Sequence, residues 1–158
     1  DGAGALQGVH RTWLAYDGQD KAAVDTPRRA MGHLLGNAVR IALADQTLVL
    51  GEGIETMLSV REAAPSLPVW AALSSGHLGA VQLPAGLQRL YIAIDRDPAG
   101  QRAAERLTAR ATEAGIAVRV LEPRLGDFND DLRAHGAEAL RQHLAQQIDL
   151  KDQHRLTI

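Results

Sequence analysis

Acidic residues follow two apolar runs of this sequence, and carboxylates placed in this way can hold a divalent metal ion. The first run, Thr47–Leu50, leads into Glu52 and Glu55, and the second, Leu90–Ile94, leads into Asp95-Arg96-Asp97. Apolar runs without polar alternation predict strands buried on both faces of a parallel sheet, whose carboxyl ends bind ligands. Hard oxygen ligands gathered there suit Mg²⁺ or Mn²⁺, and the chemistry indicated is phosphoryl transfer or hydrolysis.

Each acidic position also has a purely structural interpretation. Glu52 lies between two glycines, which let the backbone turn sharply and a ligand approach closely, so a functional role is favoured. Glu55 is equally well explained as an acid in the first turn of a helix. Asp97 before Pro98 predicts a helix N-cap, but capping does not explain Asp95 at the end of a buried strand. Two carboxylates held so close would repel and raise one pKa unless a metal or an arginine compensates.

A third acidic segment follows the last predicted strand. The segment 126–131 contains three acids and an amide within six residues. It could supply another metal ligand, such as Asp127, from the same edge of the sheet. An alternative of equal weight is a solvated turn that leads into a helix capped by Asn129 or Asp130.

From Thr47 onward the sequence alternates strands with helices. We predict strands at 47–51, 69–73, 90–94 and 116–121 and helices at 54–64, 98–114 and 137–147. Pro65 ends the first of these helices and Gly115 the second. This alternation predicts a mostly parallel sheet covered by helices.

The first 45 residues have a different pattern, which predicts an antiparallel N-terminal β extension. It would contain a hairpin around Asp17-Gly18, a loop at 26–29 and a short strand at 38–42. We therefore predict three segments: the β extension 1–45, a catalytic domain 46–148 and a C-terminal tail 149–158.

Bulk composition narrows the class of protein. A chain of 158 residues can bury the core of one domain, and the absence of cysteine fits a reducing cytoplasm. No apolar run approaches the ~20 residues that span a bilayer, and no signal peptide is visible, so we expect a cytoplasmic protein without membrane contact. A net charge of −2 does not suit a free-standing nucleic-acid binder. The first residue is Asp1 rather than methionine, so we expect a segment of a longer polypeptide.

Taken together, the motifs resemble the Toprim domain, the metal-binding catalytic module shared by bacterial primases, topoisomerases, OLD-type nucleases and recombination-repair proteins. They are Glu52-Gly53 after one buried strand, the segment Asp95–Gly100 after another, and the later segment Gly126–Asp130. The similarity is greatest to Toprim domains of plasmid- and phage-borne primase or primase-helicase proteins. In those, a segment like Gly8–Thr12 and a strand containing Arg40 precede the Gly-Glu-Gly-Ile-Glu-Thr motif.

The resemblance implies an α/β fold with a roughly four-stranded, mostly parallel sheet covered by helices. It also implies that Glu52 is the general acid or base at the metal site. Asp95 and Asp97 would coordinate Mg²⁺ or Mn²⁺. Glu55 would be a secondary ligand, and Asp127 a further ligand in a loop that varies across the family.

The leading hypothesis is the Toprim portion of a DNA primase-like protein of a mobile element, which joins nucleotides for primer synthesis in DNA replication. Its partners would be a single-stranded DNA template, nucleoside triphosphates and further modules of the parent protein, of helicase, relaxase or primase N-terminal type. A basic subdomain and a zinc module are not visible in the sequence. Alternatives are a non-catalytic docking domain of a relaxase, helicase or replication protein and a Toprim nuclease. An aspartate-nucleophile phosphatase would leave Glu52 unexplained.

Overall fold

A five-stranded sheet and a separate two-stranded ribbon organise the computed structural model, which describes residue 1 and residues 4–157. The strands are β1 (Gly8–Thr12), β2 (Arg28–Gly32), β3 (Val39–Arg40), β4 (Thr47–Gly51), β5 (Val69–Ala71), β6 (Arg89–Ala93) and β7 (Ala117–Leu121). The strand order in the main sheet is β3-β5-β4-β6-β7, in which only β3 is antiparallel to its neighbour. The predicted fold class, with its antiparallel N-terminal extension, is confirmed.

Helices cover both faces of the main sheet. They are α1 (Ile54–Ala63), α2 (Ser75–Leu78), α3 (Pro98–Glu113) and α4 (Phe128–Ala145). Val49 of β4 packs with residues of α1 and α4, whereas its neighbours Leu48 and Leu50 pack with residues of α2 and α3. Because successive side chains of a strand point to opposite faces, the unbroken apolar run of β4 supplies both halves of the core.

The prediction of a loop at 126–131 was wrong for its last four residues, because α4 already begins at Phe128. The N-cap is Asp127, whose Oδ1 accepts the N–H of Asp130 at 2.8 Å, and not Asn129 or Asp130. The fully buried Phe128 ring anchors the first turn in the core. A break at Gly136, where φ is +80°, separates residues 128–135 of α4 from the predicted helix 137–147.

The N-terminal segment contains the predicted hairpin in a short form, and a second pairing that was not predicted. Around Asp17-Gly18, Leu14 and Lys21 form an antiparallel bridge, and the N–H groups of Ala15 and Ala22 donate to the carbonyls of Asp20 and Trp13 at 2.8 Å each. The strand partner of β1 is β2. The N–H of Trp13 donates to the carbonyl of Pro27 at 2.8 Å and extends this pairing beyond the ribbon. The predicted loop at 26–29 was wrong for its last two residues, because Arg28 and Arg29 pair with β1, a partner that no local pattern indicates.

A 3₁₀ helix over Leu150–Leu156 packs against the amino-terminal ends of β4 and β6. Its Asp152 is fully buried and accepts hydrogen bonds from Arg89 Nε at 2.6 Å, Tyr91 Oη at 2.8 Å and Thr47 Oγ1 at 3.2 Å. The sequence analysis assigned no role to this aspartate. Across the part of the chain that the structure describes, no helix is both long enough and apolar enough to cross a membrane.

Candidate metal centre

The two acidic clusters of the sequence lie side by side at the carboxyl edge of the main sheet. Gly51 at the end of β4 pairs in register with Ala93 at the end of β6, so the residues that follow the two strands emerge next to each other. The loop before α4 joins them, because the N–H of Arg96 donates to the carbonyl of Gly126 at 2.9 Å. Three segments distant in sequence thus meet at one edge.

A groove of about 380 Å³ opens at this edge. Four of the five predicted site residues line it: Glu52, Glu55, Asp95 and Asp127. The fifth, Asp97, does not line the groove, because its Oδ1 caps α3 by accepting the N–H of Gly100 at 2.6 Å. Its negative charge is nevertheless close enough to raise the pKa of both Glu52 and Asp95.

Asp95 is the most perturbed acid of this group. Its Oδ1 is buried and has no hydrogen-bond partner within the described chain. Burial, and after it the negative charges of Glu52, Asp127, Asp97 and Asp130, raises the pKa of the carboxyl to about 6. A buried carboxylate oxygen without a donor, held among other acids, is an arrangement that a cation would stabilise.

The donor set fits Mg²⁺ or Mn²⁺, since all the side chains concerned are carboxylates. Among the described residues, however, no group of three or more His, Asp or Glu side chains forms a ready-made metal cage. Mg²⁺ commonly binds through one or two carboxylates and completes its coordination with waters and substrate phosphates. The geometry therefore fits an ion shared with a phosphate ligand better than one enclosed by protein.

Glu52 is held at the groove by the segment that follows β5. The N–H of Leu73 donates to the carbonyl of Glu52 at 2.8 Å, and the N–H of Ser75 bonds to its carboxylate. Leu73 has a φ of +78°, a conformation that costs energy for a residue other than glycine and is concentrated at functional sites. Burial, followed by the charge of Asp97, raises the pKa of Glu52, although the Ser75 bond and the charge of Arg28 oppose the rise.

Glu55 forms an ion pair with Arg28 of the N-terminal ribbon. Burial by itself would raise the pKa of Glu55, but the hydrogen bond and charge of Arg28 outweigh burial and hold that pKa below its usual value. The sequence analysis missed Arg28, and no local signal could have found it, because the two residues are 27 positions apart. Glu55 could act as a secondary ligand only by sharing its carboxylate with this arginine.

Asp127 is fixed by contacts on both of its oxygens. Oδ1 caps α4, and Oδ2 accepts a hydrogen bond from Thr56 Oγ1 at 3.4 Å. Thr56 belongs to α1, so this contact ties the third acidic segment to the helix that follows Glu52. Asp127 therefore lies at the groove in a fixed orientation, with part of its hydrogen-bonding capacity already used.

Replacing Gly100 by alanine should displace the backbone of Asp95 and so disturb the candidate metal site. A Cβ at Gly100 would lie 2.9 Å from the carbonyl oxygen of Asp95, closer than carbon and oxygen can pack. The strain of overpacking, about 1–3 kcal/mol, exceeds the gain in helix propensity of about 1 kcal/mol. We expect lower stability in urea and weaker Mn²⁺ binding. Gly76→Ala is the matched control, since its Cβ would have no neighbour closer than 3.9 Å; an equal effect in both variants would contradict the packing argument.

A family model described as the Toprim domain matches residues 47–138, more than half of the chain. The chain belongs to the Toprim family. This Toprim match runs from β4 into α4 and contains all five predicted site residues. A second model, described as a domain of unknown function (DUF7146), matches residues 1–41.

Solved structures of two primases are similar to this chain to different degrees. The primase fragment of the bacteriophage T7 primase-helicase protein superposes with a TM-score of 0.63 at 19% identity, over 87% of this chain and 62% of that one. The zinc-binding and RNA polymerase domains of the Aquifex aeolicus primase give a TM-score of 0.47 at 23% identity, over 66% and 27%. This Toprim chain thus spans less than two thirds of either structure. No curated protein sequence matches it.

Proposed function

We propose that this Toprim domain is the catalytic part of a DNA primase-like protein and joins nucleotides at a divalent metal site. The observation that carries the proposal is Asp95, whose buried oxygen has no partner among the described residues and is surrounded by the charges of four other acids, of which Glu52 and Asp127 line the groove. The family match and the fold shared with the T7 primase fragment support a primase-like domain. They favour it over a phosphatase, which could also place acidic residues at the end of a buried strand.

Asp95 and Asp97 would hold Mg²⁺ or Mn²⁺, Asp97 through Oδ2 because its Oδ1 caps α3. Glu52, Glu55 and Asp127 line the groove together with Asp95. The ion, when bound, supplies positive charge that offsets the phosphates of an incoming nucleotide. Glu52 accepts the proton of the attacking 3′-hydroxyl, because its raised pKa moves it toward the range in which a carboxyl exchanges protons efficiently. Arg28 lowers the pKa of Glu55 and offsets its charge, which leaves Asp95 and Glu52 as the acids whose charge a metal ion would compensate.

The partners in this proposal are a single-stranded DNA template, nucleoside triphosphates and further modules of a cytoplasmic parent protein encoded by a plasmid or another mobile element. The resemblance to plasmid- and phage-borne primases supports this context. We keep the boundaries 1–45, 46–148 and 149–158; the gap between the two family matches, from residue 41 to residue 47, supports the first of them.

Calorimetric titration with Mn²⁺ tests the metal site. We expect heat of binding for the wild-type chain and its loss in Asp95→Asn, which removes the charge but keeps the shape of the side chain. Asp25→Asn is the matched control, because Asp25 is exposed and lies outside the groove. Unchanged affinity in Asp95→Asn would remove this residue from the site.

The reaction type needs a second assay with the full-length parent protein. Primer synthesis on single-stranded DNA with nucleoside triphosphates, abolished by Glu52→Gln, is the expected result. Mn²⁺-dependent nicking of supercoiled DNA without synthesis would instead indicate a Toprim nuclease. If metal binds but neither reaction occurs, the catalytic proposal is wrong and the docking-domain alternative is favoured.

A further inference from the structure

One face of the N-terminal ribbon is exposed and carries both arginines and large apolar side chains. Because side chains alternate along a strand, residues paired across β1 and β2 share a face. Val9 pairs with Met31 and Arg11 pairs with Arg29, and all four are exposed. Trp13, two residues beyond Arg11, continues the same face. We call these five residues the ribbon face.

The two arginines of the ribbon face lie directly opposite each other in the register. Like charges at paired positions destabilise a two-stranded ribbon. Within the described chain neither Arg11 nor Arg29 has an ion-pair partner, and Arg29 bonds only to the neutral hydroxyl of Thr26 at 3.2 Å. An anionic ligand would remove this repulsion.

Aromatic and apolar surface surrounds the paired charges. The Trp13 side chain is 39% exposed, and the Arg11 guanidinium lies 4.9 Å from the centroid of its ring. Val9 is 51% exposed and Met31 67% exposed. An indole and guanidinium groups can bind the π-faces of bases and the phosphates between them, which is how proteins bind single-stranded nucleic acids.

The other side of the ribbon contributes to the acidic groove. Arg28 pairs with Thr12, one position along from the Arg11–Arg29 pair, and it lines the groove together with Asp95. Because side chains alternate along a strand, the ribbon face and the groove lie on opposite sides of the ribbon. Trp13 and Tyr16 are too few to form a stacking platform by themselves, and the paired arginines add phosphate-binding groups beside Trp13.

We propose that the ribbon face binds single-stranded nucleic acid, with phosphates on Arg11 and Arg29 and a base stacked on Trp13. This gives a role to a segment that matches only a domain of unknown function. A single strand fits better than a duplex, because only an unstacked base can cover the indole. It fits better than an acidic peptide, because acidic side chains would leave the indole uncovered. Binding at the ribbon face does not rest on the proposed function.

Fluorescence anisotropy with a labelled oligothymidylate of about 12 nucleotides tests the proposal at low salt. The double variant Arg11→Ala, Arg29→Ala should bind at least tenfold more weakly, and its slope of log affinity against log salt should fall by about 1.4. The control is Arg102→Ala, Arg106→Ala, which removes the same charge from exposed positions on α3. Equal losses in the two double variants would show a non-specific charge effect and overturn the proposal.

Trp13 provides a second, independent readout. Bound oligothymidylate should quench its fluorescence, while Trp70 is only 4% exposed and should contribute a constant signal. Trp13→Ala should lower affinity roughly tenfold, whereas Trp13→Phe, which keeps a stacking ring, should retain most of it. If both substitutions leave affinity unchanged, Trp13 does not stack and the proposal is wrong.

Failure of this proposal can be told apart from failure of the metal site. Binding to the ribbon face should persist in Asp95→Asn and in the presence of a metal chelator. Polyglutamate and phosphatidylserine vesicles are the competitors for the other anionic partners. If either displaces the oligothymidylate as well as unlabelled oligothymidylate does at equal charge, the ribbon face recognises charge alone and the assignment to nucleic acid fails.

Discussion

Asp95→Asn should raise the free energy of unfolding of the metal-free protein by about 1–2 kcal/mol at neutral pH. In the wild type, burial and neighbouring acids make the ionised carboxylate unfavourable, which raises its pKa to about 6. The difference between this pKa and that of an ordinary aspartate would correspond to about 3 kcal/mol of stability if it counted in full. Because the side chain is partly exposed, solvent screening reduces this penalty. Urea unfolding at neutral pH measures the gain.

The pH dependence of this gain has a definite sign. A carboxyl whose pKa is higher in the folded state binds more protons when folded, so wild-type stability falls as pH rises from the ordinary aspartate pKa near 4 to about 6. Above that range the penalty is complete. The advantage of Asp95→Asn should therefore be largest above about pH 7 and should shrink toward pH 4. An advantage that does not depend on pH would contradict the electrostatic explanation.

Added metal should reverse the order of the two proteins. Mn²⁺ at about 100 times its dissociation constant should stabilise the wild type by about 2.7 kcal/mol, and Asp95→Asn should gain nothing. Asp25→Asn again serves as control, with wild-type behaviour in both conditions. Stabilisation of Asp95→Asn equal to that of the wild type would mean that the ion binds elsewhere.

Asp152→Asn should lower the free energy of unfolding by about 3–5 kcal/mol, and the melting temperature by roughly 10 °C. Asp152 is fully buried, and its two oxygens accept bonds from Arg89 at 2.6 and 2.9 Å. An asparagine amide cannot replace both acceptors, so the Arg89 guanidinium would lose its counter-charge. Tyr91, whose pKa is raised to about 12 by burial and by Asp152, would lose its acceptor as well.

Two measurements check the prediction for Asp152: the pH dependence of stability and the effect of breaking an ion pair on the surface. Burial alone would raise the pKa of Asp152, but Arg89 and the Tyr91 hydroxyl outweigh it and hold the pKa below its usual value. Its stabilisation is therefore present above about pH 4 and is lost as pH falls further, the opposite dependence to that of Asp95. Glu138→Gln, which breaks the exposed pair with Arg141, should cost less than about 1 kcal/mol. Similar losses in both variants would contradict the buried network.

The sequence predicted those parts of the protein that depend on short stretches of chain. The apolar runs became β4 and β6, Asp97 capped α3 as expected, and Glu52 and Asp95 emerged at neighbouring strand ends. Each of these features follows from local periodicity or capping, and parallel strands necessarily bring their carboxyl ends to one edge. The fold class and the Toprim resemblance rested on the same local patterns.

The tertiary structure alone decided which distant residues meet. The pairing of Arg28 with Glu55, the partner strand of β1 and the burial of Asp152 beneath β4 and β6 join residues 16 to 105 positions apart. Local pattern carries no information about such pairs, because their favourable energy exists only once the sheet brings the segments together. The acids of the candidate metal centre could thus be predicted from the sequence alone. The arginine that holds one of them, and the burial that raises the pKa of Asp95, come from packing.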